Sequence, residues 1–196
     1  MPSIHPEGDP PLTSQRKPFL AAVLACTVVF AAPTVASPQE SADALFAHAK
    51  VAAKSEHKNV LMVFSASWCG PCKLYERFLE DPQMKPITEK AFVIQRIDVG
   101  ERDGDAKHVN TPGGVQLRTA LGGVGEPGFP FIVMTDENGN PLINSYINGN
   151  PNNNIGYPAL PNEIDWYVEM LKHAAPTLSP ADLLATHVWL QRHSPH

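Results

Sequence analysis

The chain has 196 residues, 15 Lys plus Arg against 20 Asp plus Glu, a net charge of −5 and three cysteines. That length suits one domain with a full core, and without a basic run or Arg/Lys patch the chain does not read as a nucleic-acid binder. Three cysteines, one of them in an apolar N-terminal stretch, exclude a framework of structural disulfides.

Arg16 and Lys17 precede a charge-free stretch over 19–32, and the small residues Thr34, Ala36 and Ser37 follow. A positive region, an apolar region and a small-residue site predict a signal peptide over 1–37, cleaved after Ala36 or Ser37. A retained anchor ranks second, because the stretch falls short of about 20 residues and Pro33 interrupts it. Third is a lipoprotein box at Val23-Leu24-Ala25-Cys26, where the apolar run continues past the cysteine to Phe30. All three place residues 38–196 outside the cytoplasm, in a bacterial periplasm.

From Ser41 as N-cap, a helix is predicted to His57, with Ala44-Leu45, Ala47-His48 and Val51-Ala52 as its apolar stripe. Residues 59–65 read as a buried strand. It leads directly into Trp68-Cys69-Gly70-Pro71-Cys72, and 71–80 reads as a helix with Leu74, Phe78 and Leu79 inward. Two cysteines with two residues between them close a small disulfide ring. A thiol at a helix start faces unpaired N–H groups and the positive end of the helix dipole, which favour the reactive thiolate. A zinc site needs about four ligands; there is no second Cys-x-x-Cys, and the histidines are scattered. The expectation is a redox pair with no metal and no cofactor.

A helical turn over 86–90 and a strand over 91–99 come next. Residues 100–128 are glycine-rich, with a short helix over 115–121; the remainder is either a functional loop or a tolerated insertion. Residues 131–135 and 142–147 pair as a hairpin across Asp136-Glu137-Asn138-Gly139-Asn140. After an Asn/Pro-rich loop over 148–161, Asn162 caps a helix to about Ala174. Ser179-Pro180 opens a last helix to about His193, inside a C-terminal extension over 176–196.

Strand, Cys-Gly-Pro-Cys helix, parallel strand, hairpin and closing helix resemble the thioredoxin fold, most strongly over 58–98 and 127–148. Trp68 to Cys72 is identical to the thioredoxin active-site sequence. The resemblance implies an α/β domain over 38–196, with a central mixed sheet flanked by helices, a loop insertion and a C-terminal helical extension. Gly128-Phe129-Pro130-Phe131 resembles the family's cis-proline loop, which implies that Phe129 and Pro130 bind substrate beside Cys69 and Cys72. Trp68, Gly70 and Pro71 complete that surface. The family's buried Asp is replaced here by Val63. Cys72-Lys73-Leu74-Tyr75-Glu76 resembles the Cys-Lys-x-x-Glu run of membrane thiol:disulfide interchange reductases, which makes Glu76 a proton-acceptor candidate; its alternative is a solvated helix carboxylate.

The resemblance implies dithiol–disulfide exchange. Cys69, the more exposed thiol, attacks, and Cys72 resolves the mixed disulfide. A Gly-Pro dipeptide without histidine resembles that of reducing thioredoxins and favours a reductase of disulfide-containing proteins, fed by a membrane electron donor; the further expectation is a periplasmic monomer. An oxidase or isomerase is the enzyme alternative. The alternative of another class is a copper or metalloprotein assembly module, with the cysteines as soft ligands; His108 reaches the site only if its loop folds over it.

Overall fold

The computed structural model describes residues 39–105, 107–125 and 128–195. The expected signal peptide and Cys26 lie outside the described residues. The elements are α1 (Ala42–Glu56), β1 (Asn59–Ser65), α2 (Gly70–Glu80), α3 (Lys85–Ala91), β2 (Phe92–Asp98), α4 (Gly114–Ala120), β3 (Phe131–Thr135), β4 (Pro141–Asn144), α5 (Pro161–Ala174) and α6 (Pro180–Arg192). One four-stranded sheet runs in the order β2-β1-β3-β4. β2 pairs parallel to β1, and β3 pairs antiparallel to both β1 and β4. This is the thioredoxin fold, with a mixed sheet flanked by helices on both faces.

The period of two in a strand divides the core. Leu61 and Val63 of β1, with Ile132 and Met134 of β3, point to the side covered by α2, α5 and α6. Val60, Met62 and Phe64, with Phe131 and Val133, point to the side covered by α1 and α4. Burial on both faces explains why β1 and β3 read as unbroken apolar runs.

Helix faces needed more correction than strands. The buried row of α1 is Ala42, Phe46, Ala49 and Ala53, while Val51 is 69% exposed. Phe46 is the bulkiest apolar side chain of the helix, and burying it turns the expected stripe by about one residue. On α2 the buried row is Cys72, Tyr75, Phe78 and Leu79, and Leu74 is only partly buried. Tyr75 enters the core because its hydroxyl meets that of Tyr167 at 2.9 Å, so no buried polar atom is orphaned. Burial pushes both phenols above their ordinary range.

β4 stops at Asn144, short of the expected Ile147. Beyond it, Tyr146 bridges to Asn154 instead. Leu160, not Asn162, is the N-cap residue of α5; Pro161 takes the first turn, and Glu163 accepts the main-chain N–H groups of Ala159 and Leu160 at 3.0 and 2.9 Å. The C-terminal helix packs on the body: Trp189 and Leu190 are buried, with the Trp189 ring 5.3 Å from that of Phe78 on α2.

α6 opens with a reciprocal cap. The Ser179 hydroxyl accepts from the Asp182 N–H at 3.2 Å, and Asp182 accepts from the Ser179 N–H at 2.9 Å. Lys90 of α3 pairs with the same carboxylate at 2.8 Å. Lys90, together with the Ser179 hydrogen bonds, draws the Asp182 carboxyl down to about 2. An unfolded Asp titrates near 3.9, so this stabilisation is complete above that value and lost as pH falls to about 2. Asp182→Asn therefore lowers the unfolding temperature at pH 7, with a loss of about 1 kcal/mol typical of a cap. Thermal unfolding followed from pH 7 to pH 2 should show the gap to wild type closing at the acid end.

Candidate active site

β1 ends at Ser65, and the chain turns through Ala66, Ser67 and Trp68 into α2. Cys69 is the N-cap of that helix, and its sulfur accepts the Cys72 N–H at 3.1 Å. Pro71 occupies the first turn, where its missing N–H costs no helical bond. Cys69 and Cys72 are joined in a disulfide with their Cα atoms 5.3 Å apart. Both are enclosed: Cys69 is 4% and Cys72 8% exposed. The expectation of a more exposed Cys69 is thus corrected; the Phe129 side chain packs against the cysteine cluster and covers it. Position at the helix start, rather than exposure, distinguishes Cys69.

The second wall enters through the sheet. Phe131 pairs with Phe64, which places the preceding Phe129–Pro130 segment beside the cysteines. The Phe129–Pro130 peptide bond is cis, and the Phe129 carbonyl oxygen lies 3.6 Å from the Cys69 sulfur. Trp68 is 47% exposed, with its ring edge-on to Phe129 at 6.3 Å. Gly70 and Pro71 lie exposed beside it. The predicted residues Trp68, Cys69, Gly70, Pro71, Cys72, Phe129 and Pro130 thus assemble at one place.

Glu76 stands apart from this surface. It is exposed on α2 and pairs with Arg96 of β2 at 2.6 Å. It also lines a cavity of about 290 Å³ on the inner side of Cys72, shared with Val63, Ser65, Arg96 and Asp98. Asp98 is the carboxylate that sequence reasoning missed. It sits opposite Ser65 in the β1–β2 register, and the Ser65 hydroxyl donates to it at 3.0 Å. Burial pushes its carboxyl up, against the Ser65 bond, and the nearby Glu101 adds to the rise. His108 is exposed and bonded to Asp105 at 3.0 Å, away from the cysteine contacts. Among the described residues no group of three or more His, Cys, Asp or Glu side chains is placed to hold a metal ion.

Polar residues in the two long loops brace the walls, and neither was anticipated. Asn154 donates from its amide to the carbonyls of Gly128 at 2.8 Å and Pro130 at 3.1 Å, spanning the Phe129–Pro130 segment. Its oxygen accepts from Ser145, whose hydroxyl accepts the Ile132 N–H. Glu101 holds the other wall through Ser67. Gly100 lets the walls close: a Cβ there would stand 2.3 Å from the Phe129 ring. No local signal marks either residue: Asn154 lies in the Asn/Pro-rich loop and Glu101 beside Gly100 in the glycine-rich one, and polar loop residues carry no period.

Asn154→Ala removes three hydrogen bonds, the two to the Gly128 and Pro130 carbonyls and the one from Ser145, each worth about 1 kcal/mol. The expected result is a loss of about 3 kcal/mol in denaturant unfolding, with faster amide exchange centred on the Phe129–Ile132 segment and Ser145.

A family model described as thioredoxin-like matches residues 42–137. Similar solved structures include a disulphide isomerase from Xylella fastidiosa Temecula1, 19% identical, covering 82% of this chain and 96% of that one, with a TM-score of 0.46. Another is the DsbH oxidoreductase, 21% identical over 58% of this chain and 76% of that one, with a TM-score of 0.40. A third is the C-terminal domain of DsbD from Neisseria meningitidis in its oxidised form, 24% identical over 68% of this chain and 99% of that one, at 0.40. No curated protein matches the sequence.

Proposed function

The chain belongs to the thioredoxin-like family, and on that premise we propose that it is a periplasmic reductase of disulfides in exported proteins. The observation that carries this reading is the Cys69–Cys72 disulfide at the start of α2, with the Cys69 sulfur beside the Phe129 carbonyl. The N-terminal sequence pattern supports export, and among the described residues no helix is long and apolar enough to cross a membrane.

In the reduced protein, the Cys69 thiolate attacks one sulfur of a substrate disulfide. A Cys69–substrate S–S bond forms, and the other substrate sulfur leaves as thiolate. Cys72 gives up its proton and attacks the Cys69 sulfur, which re-forms the Cys69–Cys72 bond and frees the second substrate thiolate. The substrate gains two electrons and this pair loses two. A membrane thiol donor restores the dithiol by the same exchange in reverse. The helix N-terminus stabilises Cys69 as thiolate. Trp68, Gly70, Pro71, Phe129 and Pro130 form the docking surface, where an extended substrate segment lies beside the Phe129 main chain. The protein acts as a monomer and needs no metal or organic cofactor.

The reducing direction rests on the Gly-Pro dipeptide between the cysteines. Equilibration with glutathione or dithiothreitol buffers should give a potential near that of thioredoxin, about −270 mV. A value near that of DsbA, about −120 mV, would make the protein an oxidase and reject the reductase reading.

The Cys72 proton leaves into the cavity that Asp98 and Glu76 line. Arg96 already occupies Glu76, and Asp98, an ionised carboxylate whose affinity for a proton is raised by partial desolvation, is the better matched acceptor. Asp98→Asn should lower the rate of mixed-disulfide resolution by roughly ten- to a hundredfold at pH 7, measured by quenched-flow alkylation. A larger loss in Glu76→Gln than in Asp98→Asn would transfer the role to Glu76.

A further inference from the structure

Asp98 ends β2, and the next four residues lie along the redox loop. The Val99 N–H extends the sheet by donating to the Ser65 carbonyl at 2.9 Å. The Gly100 carbonyl accepts the Trp68 indole N–H at 2.6 Å. Glu101 accepts the Ser67 main-chain N–H at 2.5 Å on one oxygen and the Ser67 hydroxyl at 2.6 Å on the other. The Arg102 guanidinium stands 5.1 Å over the Trp68 ring.

Glu101 is the unusual member of this strap. It is 8% exposed, and among the described residues no cation lies within ion-pair distance of it. A buried carboxylate without a cation is expensive, and leucine or glutamine would fill similar space at lower cost. What offsets the expense is a two-oxygen grip on one residue, Ser67, which precedes Trp68. The grip is itself anchored, because Asn110 accepts the Glu101 N–H at 2.8 Å and its amide returns to the Glu101 carbonyl.

We propose that Glu101 is a positioning residue for substrate docking: its carboxylate fixes Ser67, and thereby the posture of the half-exposed Trp68 ring against Phe129. This rests on the docking role given to Trp68 and Phe129 above. Trp68 is half exposed and meets Phe129 only edge-on, and the strap adds constraint from outside the helix. Fixing the ring in advance removes the cost of ordering it when a substrate binds. The effect of losing the grip therefore falls on KM, while the sulfur chemistry at the start of α2 continues.

The test is steady-state reduction of insulin carrying paired fluorescein labels, with dithiothreitol as electron donor. Glu101→Ala should raise KM three- to tenfold and leave kcat within twofold. Glu101→Gln keeps one acceptor for the Ser67 N–H and one donor for its hydroxyl, and should stay within twofold of wild type in both. Ser67→Ala, which removes the hydroxyl and keeps the main-chain N–H bond to Glu101, should raise KM two- to threefold, and it decides the matter if Glu101→Ala does not fold. Unchanged KM in Ser67→Ala, a fall in kcat at constant KM, or a Glu101→Gln variant as impaired as Glu101→Ala would each overturn the proposal. Wild-type protein that reduces no insulin would instead reject the reductase reading.

Discussion

The pairing at the C-terminal end of β1 is the constraint on which the site depends. Phe64 faces Phe131 across one edge of the strand, and Ser65 faces Asp98 across the other. The chain leaving β1 toward the cysteines is therefore bounded on both sides before it turns. The residue ahead of Phe131 is Pro130, and two residues beyond Asp98 is Gly100. Because side chains alternate along a strand, a slip of one residue in either pairing would turn a whole row from one core to the other. The two separate cores, one under α2, α5 and α6 and the other under α1 and α4, thus enforce the register that brings both walls to the sulfurs. The redox chemistry is local to four residues of one helix start, but its placement is a property of three strands.

Apolar packing and polar grips divide the work at this site. The interior is held by area: Tyr75 and Phe78 of α2 stack on each other and meet Tyr167 and Trp189 edge to face, and such burial is worth about 2 kcal/mol for each large side chain. The rim cannot be held that way, because a substrate must reach it. There, paired hydrogen bonds, donated by Asn154 to two carbonyls and accepted by Glu101 from Ser67, fix each wall and leave the apolar faces of Trp68 and Phe129 partly open. A wall fixed through its backbone can present a greasy surface without collapsing onto it.

What was legible in the sequence follows the same division. β1, β3 and the cysteine helix carry strong local signals, an apolar run or a motif, and each appears within a residue or so of where those signals place it. The seven surface and redox residues also meet as the thioredoxin resemblance implies. Helix faces were harder to read: α1 is rich in alanine, and small residues give the pattern little contrast until Phe46 selects one side. The end of β4 and the cap of α5 were misplaced because contacts with distant residues decide both. Asn154 and Glu101 were illegible for a related reason. Glu101 meets its partner across 34 positions of chain, and a polar residue in a loop has no period to betray it. Asp98 was hidden in a different way, since its position at a strand end reads as ordinary solvation until the register sets it opposite Ser65.

The bond pair between Glu101 and Asn110 has one more consequence. It closes the chain on itself, so that the residues between form a loop whose ends are already joined at the base. The cost of closing such a loop grows only with the logarithm of its length, and Asp103, Lys107, His108 and Val109 within it are exposed. Past Arg102, whose guanidinium still reaches the Trp68 ring, that closed base shields the sulfurs from change in the stretch: insertions, deletions and drift in composition there can bring new surface chemistry within reach of the redox centre at little cost to its geometry.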